Sequence, residues 1–84
     1  MHPQKLLQKA LVSSANLRFE ELCALARAFG FHQSRVNGSH YIFAHPGVRE
    51  LVNLQDVRGK AKPYQVRQLL HLVERYNLSL GGGQ

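Results

Sequence analysis

Cysteine occurs once in this 84-residue chain, acidic residues only five times, and no apolar run approaches the length of a bilayer. A lone thiol forms no internal disulfide and cannot build a structural zinc site. Cys23 sits among apolar residues at helical spacing, so the reading is a buried, inert thiol, which fits a cytosolic protein. The absence of a long apolar run argues against a membrane-spanning helix. Met1-His2-Pro3-Gln4-Lys5 opens no signal peptide, because the apolar stretch that follows is broken by Gln8 and Lys9. The shortage of acids leaves 11 lysines and arginines against 5 carboxylates, a net charge of +6. In so small a body that imbalance favours a polyanion or an acidic partner. No repeat and no second domain is visible, and a chain of this length makes one domain.

What is present is two good amphipathic helices flanking three short β segments. Pro3 suits a first helical turn, and Leu6, Leu7, Ala10 and Leu11 follow at helical spacing until Ser13-Ser14. This short N-terminal helix reads as an extension over residues 1–16. The stripe Phe19, Leu22, Cys23, Ala26 and Phe29 predicts a helix from Phe19 to Phe29, with Glu20 and Glu21 in its first turn and Gly30 as its stop. Strand-like segments follow at about 31–36, 39–45 and 51–57, with Pro46-Gly47 as a turn between the second and third. A basic loop, Arg58-Gly59-Lys60-Ala61-Lys62, leads to Pro63 and a helix to about Tyr76. Its stripe is Val66, Leu69, Leu70, Val73 and Tyr76, and Asn77 can cap its end. Residues 79–84 read as a flexible tail. The fold class is α+β: α-β-β-β-α, a three-stranded antiparallel meander with both helices on one face.

The hairpin carries the most information. Asn37-Gly38 between two β-rich runs predicts a type I′ turn with those residues at its centre. Arg35 would then lie directly opposite His40. Val36, Tyr41 and Phe43 form the bulkier set and go under the helices. Arg35, His40 and Ile42 are left on the open face, where an exposed Ile42 marks a landing place for a partner. A proton-transfer residue beside a fixed cation suits the gripping, and the cutting, of a phosphodiester.

At this point the residues resemble a known family. Gly30-Phe31, Arg35, Gly38-Ser39-His40, Phe43 and His45-Pro46 resemble the HicA family of bacterial toxins. The run from Gly59 to Arg67 is similar to the loop and helix start of longer HicA-like members. The likeness spans Leu17 to Leu78, which defines a toxin domain at 17–78 beside the extension and the tail. It implies a double-stranded-RNA-binding-domain-like fold and metal-independent cleavage of mRNA without a cofactor. It also implies growth arrest, neutralisation by a HicB-like antitoxin from the same operon, and His40 as the catalytic histidine. The extra N-terminal helix departs from the shortest members.

The chemistry is consistent with that implication. RNA carries its own nucleophile, the 2′-hydroxyl, so a base that takes its proton and cations that hold the phosphate suffice. Histidine suits the base because it titrates near neutrality, and His40 is the candidate. His45 has the opposite strand parity, which favours a turn-capping or surface role. An acid for the leaving oxygen is not evident; Lys60, Lys62 or water are the options. Arg58, Lys60, Lys62 and Arg67 place four cations within ten residues around a helix start, whose free N–H groups already favour an anion. Arg35 either binds the scissile phosphate or pairs with an acid. Gly38 allows close approach of the RNA backbone, and the Ser39 hydroxyl can bond a phosphate oxygen. The spacing of Phe31, Tyr41 and Phe43 fits core packing better than base stacking. The alternative function is a non-catalytic RNA-binding module of the same fold.

Overall fold

The computed structural model describes residues 2–80. The order is α1 (Pro3–Val12), a 3-10 turn (Ser14–Asn16), α2 (Phe19–Ala28), β1 (His32–Asn37), β2 (His40–His45), β3 (Val48–Gln55) and α3 (Pro63–Arg75). The strands pair antiparallel in the order β1-β2-β3, so the α-β-β-β-α reading holds.

Local chemistry sets each helix boundary. The Glu21 carboxylate reaches back 2.9 Å to the backbone N–H of Arg18, satisfying a donor that the first turn of α2 leaves free. The same carboxylate takes the Lys9 ammonium of α1 at 3.0 Å. At the C-terminus of α2, Gly30 adopts φ +97°, its N–H bonds the Arg27 carbonyl, and the Phe31 N–H bonds that of Ala26. That pair of bonds is a Schellman motif, which needs a residue free to turn left-handed. Asn77 ends α3 identically, at φ 53°, with Asn77 on Glu74 and Leu78 on Val73.

Phe43, Leu22, Leu25, Leu54, Leu69, Val52 and Val66 form the fully enclosed centre of the core. α1 adds Leu6 and Ala10 to the same cluster. Leu80 packs against it from the other terminus, and residues 81–84 of the expected tail lie outside the described residues. Cys23 is buried, and burial pushes its thiol up to about 11, which leaves it inert at neutral pH.

The hairpin turn differs from the expected one by a residue. Asn37 pairs with His40, so the two central residues are Gly38 and Ser39. Gly38 has φ +63° while Ser39 stays out of the left-handed region. This is the φ pattern of a type II′ turn, which needs one glycine at its first central position rather than two positive-φ residues. Arg35 therefore faces Ile42, not His40. Moving the turn by one residue changes the pairing by two, so from Arg35 to Ile42 the side of each paired side chain is preserved. Arg35, His40 and Ile42 still share the open face. Arg35 is the diagonal neighbour of His40 instead of the direct one.

Two further differences follow from strand position. Val36 falls on the Tyr41–Phe43 side but is 46% exposed, because β1 is an edge strand whose six residues all lie clear of the helices. β3 begins at Val48 instead of Leu51, since the turn at Pro46-Gly47 lets pairing start at His45–Val48. It ends at Gln55, and Val57 belongs to a separate tight turn with Lys60.

The Arg18 N–H and, after it, the Lys9 ammonium hold the Glu21 carboxyl below its ordinary value of 4.5. A depressed native value means the contribution is present above pH 4.5 and is lost as pH falls through the depressed value. Glu21→Ala is predicted to cost about 1 kcal/mol at pH 7 by chemical denaturation. The variant's deficit should shrink towards zero in acid below that window.

Candidate active site

His40 opens β2, immediately after the turn, and its ring is exposed. Its cross-strand partner on β3 is Gln55, and Ile42, two residues on, faces Asn53. This register puts Asn53 diagonally beside the imidazole, and His40 Nδ1 lies 3.1 Å from Asn53 Oδ1. An amide oxygen only accepts, so Nδ1 carries the hydrogen, and in the neutral ring the lone pair is then on Nε2. Asn53 was not singled out in the sequence. Its signal is its parity, since a polar residue between Val52 and Leu54 has to face away from the core.

Arg35, Val36, Asn37, His40, Ile42 and Asn53 line one surface concavity. No carboxylate is among them. The ion pairs of the described residues, Lys9–Glu21 and Arg75–Glu50, involve none of the candidate residues, so Arg35 has no acid partner. Gly38 sits at the rim with open space where a Cβ would stand. The Ser39 carbonyl accepts the Asp56 N–H at 2.9 Å and thereby joins the hairpin tip to the start of the basic loop.

That loop is a second tight turn. Val57 and Lys60 exchange both backbone hydrogen bonds, and the residues between them, Arg58 and Gly59, have φ 55° and 82°. Positive φ at both central positions is the type I′ pattern. Asp56 Oδ1 fixes it by accepting the Gly59 N–H at 2.7 Å. Lys60 also bridges to Arg18, which anchors the loop beside the first turn of α2. Arginine in a left-handed conformation is strained, and such strain gathers at working surfaces.

The start of α3 lies at the same end of the sheet. Gln65 is the one buried polar residue of the described chain, and its Oε1 accepts the Gln55 N–H at 2.8 Å. Gln55 in turn faces His40. Lys62 caps α3 at that end and is half-buried. Gln65 was also missed in the sequence, where it looks like any polar residue of a helix start.

Not every candidate is brought together. Arg67 points to the α1 side, where its Nη1 donates to Ser14 Oγ at 3.0 Å and it lines a separate hollow with Leu11, Leu70, His71 and Glu74. His45 is on the helix side of the sheet. Its Nδ1 accepts the Gly47 N–H at 2.9 Å, and its ring meets Phe31 edge-on at 5.1 Å. A Cβ on Gly30 would stand 2.8 Å from its Nε2, so the helix stop and this ring fit only with glycine there. Phe31 and Phe43 are buried and Tyr41 is half-buried, as packing residues should be. No group of three His, Cys, Asp or Glu side chains is placed to hold a metal ion among the described residues. No helix among them is long and apolar enough to cross a membrane.

A family model described as "HicA toxin of bacterial toxin-antitoxin" matches residues 19–74, from the first residue of α2 into the last turn of α3. No curated protein and no solved structure matches the chain.

Arg58→Asn, which tolerates the left-handed region, is predicted to raise stability by up to about 1 kcal/mol. Chemical denaturation of the two proteins checks this.

Proposed function

The chain belongs to the HicA family of bacterial toxin–antitoxin toxins, and on that premise we propose that it is a cytoplasmic, metal-independent endoribonuclease that cleaves mRNA with His40 as general base. A HicB-like antitoxin neutralises it in this reading. The observation that carries the proposal is the His40–Asn53 pair, 3.1 Å apart on an open sheet face that bears an unpaired arginine and no acid.

The reaction needs little more than these groups. A scissile phosphate lies over the concavity, held by Arg35 and by cations of the loop, Arg58, Lys60 and Lys62. Gly38 lets the RNA backbone come close, and Ser39 bonds a phosphate oxygen. Nε2 of His40 takes the proton of the adjacent 2′-hydroxyl. The new O2′–P bond forms as the P–O5′ bond breaks, giving a 2′,3′-cyclic phosphate. The 5′-oxygen leaves with a proton from water or a loop lysine. Asn53 is a positioning residue: it acts through His40, holding the tautomer and the ring plane. Arg67 contributes at a distance, as part of the positive field, because its guanidinium is engaged at Ser14.

Purified protein in EDTA should cut single-stranded RNA. His40→Ala should lower the rate at least about a hundredfold while leaving fold and RNA affinity intact, as removal of a general base does. Cleavage by the variant at the parental rate would refute the assignment, and uncut RNA with the parent would leave a binding module. Asn53→Asp places a negative charge against the ring, which favours the imidazolium. The acid limb of its pH–rate profile is predicted to move to higher pH than the parent's. Asn53→Ala should lower kcat with little change in KM.

A further inference from the structure

The aromatic residues number seven, four phenylalanines and three tyrosines, and six of them have packing roles. Phe19, Phe29, Phe31 and Phe43 are in the core. Tyr41 packs on Phe19 at 4.9 Å, and the Tyr76 hydroxyl donates to Glu50 at 2.6 Å. Tyr64 is different: it is 54% exposed and follows Pro63 in the first turn of α3. The core does not need it, and a tyrosine at a solvent position is a poorer helix former than the alternatives.

Its surroundings hold the ring in place without covering it. Gln65 Nε2 donates to the Tyr64 hydroxyl at 3.4 Å, while Oε1 of the same amide is fixed on Gln55. The Lys62 ammonium lies 5.8 Å from the ring centroid. Gln55 faces His40 across one strand spacing, ~5 Å. The phenol is thus joined to the candidate base by a cross-strand pair and one side-chain bridge.

We propose that Tyr64 is a base-stacking residue for an unpaired ribonucleotide flanking the scissile phosphate, with Lys62 on that nucleotide's phosphate. The inference rests on the ribonuclease reading and adds a substrate requirement to it. A base in a duplex already has neighbours on both faces and cannot stack on a side chain. The RNA must therefore be single-stranded at this subsite, although the fold is of the kind that elsewhere grips duplexes by shape. Stacking is sequence-tolerant, so this residue contributes affinity for unpaired RNA rather than a base preference.

The test uses the full chain carrying His40→Ala, so that RNA survives the measurement. Binding of a short fluorescein-labelled single-stranded RNA of mixed sequence, and of the duplex it forms with its complement, is followed by anisotropy. Tyr64→Leu should weaken single-strand binding by about 5- to 100-fold, and Tyr64→Phe by no more than about twofold, since only the ring stacks. Duplex binding should be unchanged in both. The chain has no tryptophan, so Tyr64→Trp adds a lone reporter. Its emission should be quenched by the single strand and not by the duplex. Equal single-strand affinity of the Leu and Phe variants, or an unquenched tryptophan in a protein that binds, would overturn the proposal. A Tyr64→Leu protein that unfolds leaves the tryptophan variant to decide. A parent that fails to cut RNA, with quenching intact, would count against the nuclease reading and not against the stack.

Discussion

One buried amide decides where the cations stand relative to the histidine. The Gln65 carboxamide accepts the Gln55 N–H at 2.8 Å and is the only buried polar side chain of the described residues. Unmade, that bond would leave a backbone donor and a buried amide unsatisfied, at a cost of about 1–3 kcal/mol each. The first turn of α3 is therefore held at the end of β3, and β3 at that end faces His40. The cationic cap Lys62 and the exposed Tyr64 are carried along with it. The Ser39–Asp56 bond does the same for the basic loop. The proposed RNA surface is thus assembled from three separate segments by two backbone N–H groups.

Core and site divide the sheet between them. Phe43, Val52 and Leu54 point into the helices and make the fold. His40, Ile42, Asn53 and Arg35 point the other way and carry no packing burden. Alternation with period two allows both tasks on the same strands. β1 goes further, with every residue exposed, so an edge strand that stabilises little is free to present Arg35. The bulge between Gln33 and Arg35 gives that edge the irregularity that discourages pairing with other strands.

Much of this was legible in the sequence, for physical reasons. The stripes Phe19–Phe29 and Val66–Tyr76 mark helices because core burial repeats every 3.6 residues. Gly30 and Asn77 mark their ends because a Schellman motif needs a left-handed residue. The open face of His40 was legible because parity survives a change of turn. The turn itself was not. Asn37-Gly38 suits a type I′ turn, but Gly38-Ser39 suits type II′ as well, and the ladder decides between them. The actual I′ turn lies at Arg58-Gly59, where arginine gives no warning. Arg67 looked like one of a cluster because it is near in sequence, yet helical rotation turns it to α1 and Ser14. Asn53 and Gln65 act through partners from other segments, which spacing along the chain does not reveal.

The account stands on a 2′-hydroxyl activated by an imidazole. Its most direct test is incubation of the protein, in EDTA, with an RNA and with the same RNA methylated at every 2′-oxygen. The account predicts that only the unmodified strand is cut, leaving 2′,3′-cyclic phosphate and 5′-hydroxyl ends. Cleavage of the methylated strand at a similar rate would contradict it.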